Sequence, residues 1–293
     1  MNSNDFKKNM KAILTSIFTI LLVHASIAQK MDSYQIYTAK GKKTTYKKLV
    51  KAADKSDIIL FGELHNNAIS HWLELEVLKS IAETKAVTVG AEMFEADNQE
   101  PLNLYLSDSI DAKGLDTTAR LWNNFRTDYQ PIVDFAKSKQ FPFIATNVPR
   151  RYASKVYKGG FGSLDTISDL EKTWIAPLPI AYDSSLSGYV EMLKMMGGHG
   201  GDNLPKAQAL KDATMAHFIL ANYNPNSTFI HYNGAYHSDD YQGILWYLKL
   251  QKPELNYLTI TTVTQADVYN LSDKAKQKAD FIIVVDEDVT ETY

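Results

Sequence analysis

The sequence of 293 residues has no cysteine. This excludes disulfides, thiolate metal centres, cysteine nucleophiles, covalent c-type haem attachment and a lipidated N-terminal cysteine. Only 14 glycines and 9 prolines are present, which excludes collagen-like and Gly/Pro-rich low-complexity chains. Neither charge sign dominates: 31 basic and 34 acidic residues leave a net charge of −3. With no basic block, nothing points to a nucleic-acid partner. No apolar run reaches the roughly 20 residues that a membrane-crossing helix needs. The HExxH, Gly-x-Ser-x-Gly and GxxxxGK[ST] patterns are all missing, so zincin, serine-elbow and phosphate-loop chemistries have no anchor.

What is present starts with a leader pattern. Lys7, Lys8 and Lys11 precede an apolar stretch over 12–23, and Ser26-Ile27-Ala28 places small residues at a cleavage site before Gln29. Residues 1–28 therefore read as a secretory signal peptide. The expected location is beyond the inner membrane, periplasmic or extracellular, without a cysteine-linked lipid. Residues 29–293 read as one α/β domain.

Six short apolar runs, at 57–61, 86–90, 142–146, 228–232, 257–263 and 281–285, end in Gly, Asn, Pro or polar residues. They predict strands covered on both faces. Helical periodicity fills the gaps at 68–83, 206–222 and 238–250, and more loosely at 99–140 and 182–196. Alternating strands and helices predict a central, mostly parallel sheet with helices on both faces. A helical insertion at about 150–225 separates the third and fourth core strands.

Polar residues gather where the strands stop. Run one ends in Gly62-Glu63-Leu64-His65, run two in Glu92, run three in Asn147-Val148-Pro149-Arg150, and run four in Gly234-Ala235-Tyr236-His237. Ligands of open α/β sheets bind outside the carboxyl ends of the strands. Parallel strands would bring Glu63, His65, Glu92, Arg150 and His237 to one crevice. Two histidines with carboxylates suit a divalent metal such as Zn, Mn or Co. His65, Glu92 and His237 are the expected ligands and Glu63 the expected base of a metal-dependent hydrolase. His71 and Asn147 are expected behind them. Gly-x-x-His occurs twice, against about 0.3 occurrences by chance. A histidine past a strand also commonly caps a helix. His71, on the stripe of Leu75, Leu78 and Ala82, equally reads as a core histidine. His199 stands apart, between Gly197-Gly198 and Gly200-Gly201, where the backbone can open around a bulky ligand.

Gly62-Glu63-Leu64-His65-Asn66, His71-Trp72-Leu73-Glu74, Ala91-Glu92-Met93-Phe94, Thr146-Asn147-Val148-Pro149-Arg150 and Gly234-Ala235-Tyr236-His237, taken in order, resemble the ChaN-like haem-binding uptake family of the Tiki superfamily. The resemblance spans roughly 45–265. It implies an envelope protein of haem or iron uptake that binds haem through tyrosine and histidine, with haems held between two subunits. A homodimer around haem and an outer-membrane haem receptor are the implied partners. His199, Tyr182 and Tyr189 are the candidate haem contacts, and Arg150 the candidate partner of a propionate. Tiki-type metal proteases and, more distantly, erythromycin esterases are relatives, so the resemblance equally implies the hydrolase alternative.

Overall fold

The computed structural model describes residues 31–195 and 201–293. The leader pattern at 1–28 and His199 lie outside the described residues. Residues Ser33–Tyr293 form one compact unit.

The apolar runs become strands because each can be buried on both faces. In β2 (Ile58–Glu63), every residue is buried. Ile59 and Phe61 face one hydrophobic cluster and Ile58 and Leu60 the other. The remaining strands are β1 (Tyr34–Thr38), β3 (Ala86–Glu95), β4 (Phe143–Asn147), β5 (Ser227–Gly234), β6 (Tyr257–Gln265) and β7 (Phe281–Asp286). They form one sheet in the order β1-β7-β6-β2-β5-β3-β4. All neighbouring pairs are parallel except β1 with β7.

Helices cover both faces. One cluster packs α1 (Tyr46–Ala53), α2 (Ala68–Ala82), α3 (Gln99–Leu106), α4 (Ala112–Thr118) and α5 (Gln130–Ser138) on the sheet. The opposite cluster holds α6 (Arg150–Gly159), α9 (Leu204–Ala221) and α10 (Ile244–Gln251). Two further helices, α7 (Asp169–Lys172) and α8 (Ser187–Met195), precede α9 in the stretch between β4 and β5. Among the described residues, no helix is long and apolar enough to cross a membrane.

Three details differ from the sequence reading. β1 was not anticipated. β3 runs on past Glu92 to Glu95, with an irregularity in its pairing to β4 between Ala91 and Glu95. α10 begins at Ile244 rather than near 238, because residues 239–241 form a 3-10 turn in which Asp240 and Tyr241 take positive φ.

Candidate functional site

The two Gly-x-x-His segments leave adjacent strands in register. In the β2–β5 pair, Gly62 lies opposite Asn233 and Glu63 opposite Gly234. Their chains then turn away together, and both glycines are needed for that approach. A Cβ on Gly62 would stand 2.9 Å from the Ala235 Cα. A Cβ on Gly234 would stand 2.8 Å from His65 Cε1 and 3.5 Å from Glu92 Oε2. The space above holds an open crevice of about 480 Å³ lined by Glu63, Leu64, His65, Asn66, Gln208 and Gly234 through His237, with Tyr293 at its rim.

On the β5 side, His237 is clamped between two carboxylates. Its Nε2 lies 3.1 Å from Glu92 Oε1 and its Nδ1 2.5 Å from Asp212 Oδ1. Glu92 Oε2 accepts the Gly234 backbone N–H at 2.8 Å. All three residues are buried. Burial opposes a charge on His237, but Glu92 and Asp212 outweigh it and raise its pKa to about 10. Burial likewise opposes ionisation of Glu92, yet His237, His65 and the Gly234 N–H hold it well below the usual carboxylate range. At neutral pH this is a charged pair.

On the β2 side, Asn67 caps α2 by accepting the Ser70 N–H at 2.9 Å. The first two turns of α2 then aim His71 and Glu74 inward under Glu63. His71 Nδ1 lies 3.0 Å from Glu74 Oε2, and its Nε2 lies 3.6 Å from Glu63 Oε2 and 3.5 Å from Asp128 Oδ2. Burial disfavours charged His71, but Glu74, Glu63 and Asp128 raise its pKa to about 9. Burial pushes Glu74 up to about 7 against the pull of His71. Glu63 Oε1 lies 2.5 Å from His65 Nδ1 and accepts the Tyr129 hydroxyl at 3.1 Å. His65 spans the two sides. Its ring meets Trp122 edge-on at 4.8 Å, and 39% of its side chain is exposed. Burial lowers its pKa, but the bond and charge of Glu63, with Glu92, raise it on balance.

Glu63, His65 and His237 therefore meet at the carboxyl ends of β2 and β5, with Glu92 reaching them from within β3. Among the described residues, the donor set that closes to within 4.8 Å is a different one, Glu63, His71 and Glu74. Asn147 is buried at the end of β4 with its Oδ1 unpaired. Arg150 does not join the crevice, contrary to expectation. It is exposed at the start of α6, beyond β4 at the sheet edge, and its backbone N–H donates to Glu95 at 3.0 Å. Tyr189 is buried and donates to Asp212 at 3.4 Å, and Tyr182 stacks on it at 5.5 Å. Burial raises the phenol pKa of both.

The sequence reading gave no site role to Asp212, Gln208, Asp128, Tyr129 and Tyr236. Asp212 carried a usable signal, as an acid within the apolar run Leu210, Ala213 and Ala216. Asp128 lies in an irregular five-residue helical turn, Phe125–Tyr129, which gives no periodicity to read.

Comparison with known proteins places this arrangement. The model of the haem-binding uptake family, Tiki superfamily, ChaN matches residues 49–248. Among solved structures, ChaN of Campylobacter jejuni with cofacial haem binding superposes with a TM-score of 0.66 at 16% identity, covering 88% of this chain and 98% of that one. A succinoglycan biosynthesis protein (TM-score 0.49, 11% identity, 86% and 93% covered) and an erythromycin esterase (0.46, 11%, 87% and 83%) are more remote. No protein of curated function matches significantly. With its family model matched over most of its length, the chain belongs to the ChaN haem-binding uptake family of the Tiki superfamily.

Proposed function

We propose that this chain is a secreted haem-binding protein of haem or iron uptake, working in the periplasm or outside the cell. The observation that carries the reading is an accessible imidazole, His65, at the mouth of the crevice in a chain of a haem-binding family. The lining fits one face of a flat macrocycle. Leu64 and Ala235 are apolar, His65 offers a ring nitrogen, and Tyr236 and Tyr293 offer exposed phenols at 41% and 63%. Imidazole and phenolate are both axial ligands of haem iron. Asn66 on the crevice wall takes the propionate role that the sequence reading gave Arg150. The crevice is open to solvent, so it covers one haem face, and a second copy of the chain covers the other. That agrees with the cofacial haems of the Campylobacter protein. An outer-membrane haem receptor is the partner such a protein hands haem to or takes it from.

Titration with haemin tests this. The expected result is a saturable Soret shift, weakened at least tenfold in His65→Ala and reduced in His199→Ala, with a doubled hydrodynamic mass on loading. An unshifted Soret band would overturn the reading.

A second reading has its own support, the in-register pair of Gly-x-x-His segments with Glu63 held against His65. In a divalent-metal hydrolase, His65, Glu92 and His237 would hold the ion and Glu63 would accept a proton. Such an ion would supply Lewis-acid activation of a nucleophile. Zn, Mn or Co recovered in the purified protein and lost in His65→Ala favours this reading, whereas bound iron porphyrin favours uptake.

A further inference from the structure

Beneath the crevice, four side chains meet away from solvent. Glu63, Glu74 and Asp128 are 1%, 0% and 2% exposed and His71 is 6% exposed. Three carboxylates thus face one imidazole. Among the described residues, each ion pair of these carboxylates is to a histidine, none to lysine or arginine. Asp128 is well supplied, accepting from Asn124 at 2.6 Å and Thr292 at 2.6 Å. Among the described residues, Glu63 Oε2 and Glu74 Oε1 receive no hydrogen bond. An uncompensated buried carboxylate is costly, so the cluster needs either a proton or a cation.

We infer that Glu63, His71 and Glu74 form a buried site for one divalent cation of the Mn²⁺ or Zn²⁺ kind, with Asp128 beside it. Their donor atoms already lie within 4.8 Å of one another. Small side-chain rotations bring them to the ligand distances of about 2.0–2.2 Å. Carboxylates mixed with one imidazole suit a borderline to hard divalent ion. The cation takes the place of the imidazole proton, so His71 binds as a neutral ring. The two unpaired oxygens gain a partner, and the excess negative charge is cancelled. Glu63 would then serve two sites, Oε2 below and Oε1 on His65 and Tyr129 above. A loaded site fixes Glu63, and through it the His65 ring that faces the crevice. This site is independent of haem.

Equilibrium dialysis with Mn²⁺, and with Zn²⁺ in competition, tests it on the whole chain. The wild type is expected to bind one ion per chain and to gain several degrees in Tm over chelator-treated protein. His237→Ala should keep that ion, and Glu74→Gln should lower its affinity at least tenfold and abolish the Tm gain. Circular dichroism checks that both variants are folded. If Glu74→Gln is unfolded, His71→Gln replaces it, and if His237→Ala is unfolded, His237→Gln replaces it, each with the same expectation. No ion bound by the wild type at millimolar Mn²⁺ or Zn²⁺ would show that a proton balances the cluster. An ion kept in Glu74→Gln, or lost in His237→Ala, would place it in the crevice. Each of these outcomes overturns the inference.

Discussion

The two sides of the crevice are made of the same parts and end in opposite states. On the β5 side, one imidazole sits between two carboxylates, and His237, Glu92 and Asp212 satisfy one another with help from the Gly234 N–H. On the β2 side, one imidazole faces three carboxylates, and two oxygens are left over. The difference lies in stoichiometry and backbone supply rather than residue type. β5 delivers a main-chain donor to its carboxylate, whereas α2 presents His71 and Glu74 by side chain alone. A saturated pair acts as scaffold, and an unsaturated one invites a ligand. His65 stands between them, touching Glu63 directly and sharing the face of Gly234 with Glu92.

The most severe way to break the contrast is to empty the saturated side. His237→Ala leaves Glu92 and Asp212 facing each other unpaired. A loss of about 3–5 kcal/mol is expected from denaturant unfolding, the usual cost of stripping one partner from a buried pair. A loss below about 1 kcal/mol would mean that the clamp is not ionised as described. The glycines come next. Gly62→Ala drives its Cβ into the Ala235 backbone, and about 1–3 kcal/mol is expected for such overpacking. Gly234→Ala meets first the His65 ring and then a Glu92 oxygen. That ring is partly exposed and can swing, so the stability loss should be the smaller of the two while haemin affinity falls more. The reversed order would contradict this placement of His65.

The pH dependence separates the sides further. His237 is held protonated with a pKa raised from 6.5 to about 10. Its contribution is complete below 6.5 and is lost as pH rises through about 10, because the folded state binds more protons across that window. His71 behaves alike, from 6.5 to about 9. Glu74 is an acid whose pKa is raised, from 4.5 to about 7. It too binds more protons when folded, so it makes stability fall between pH 4.5 and 7. Glu74→Gln should flatten that acid-side fall and leave the alkaline fall from His237 intact. Unfolding free energies measured from pH 4 to 10 check both limbs, and an unchanged acid slope in the variant would contradict the buried position of Glu74.

The strands were readable from sequence because Ile58 through Phe61 and their counterparts are apolar on both faces, as a covered parallel sheet demands. β1 was not, since Tyr34–Thr38 is a short edge strand defined by antiparallel pairing to residues nearly the whole chain away. The start of α10 was misplaced because a periodic pattern over 238–250 hides positive φ at Asp240, Tyr241 and Gly243. At the site, residues directly after strands were legible, because the end of a strand fixes where the chain emerges. Asp128 and Tyr129 were not, because an irregular helical turn delivers them, and Asp212 showed only as an acid in an apolar helix stripe, without a partner. The same limit explains Arg150. It follows a strand as directly as His65 does, but that strand is the sheet's last.

The smallest expected effect concerns the tyrosines of the insertion. Tyr189 is buried, stacked on Tyr182, and linked to the β5-side clamp only by a long bond of 3.4 Å to Asp212. Asp212 keeps its 2.5 Å contact with His237 when that hydroxyl is removed. Tyr189→Phe should therefore cost about 0.5–1 kcal/mol, the net worth of an ordinary hydrogen bond. Burial also holds the Tyr189 phenol far above its ordinary pKa, so it is a poor source of phenolate for iron. Burial raises the Tyr236 phenol less far, to about 12. It is 41% exposed on the crevice wall, and its hydroxyl donates to the Gly188 carbonyl. Haemin titrations should leave the Soret shift of Tyr189→Phe at the wild-type value and change that of Tyr236→Phe. The opposite pattern would move the haem seat from the strand ends into the helical insertion, and with it the distinction between scaffold side and ligand side.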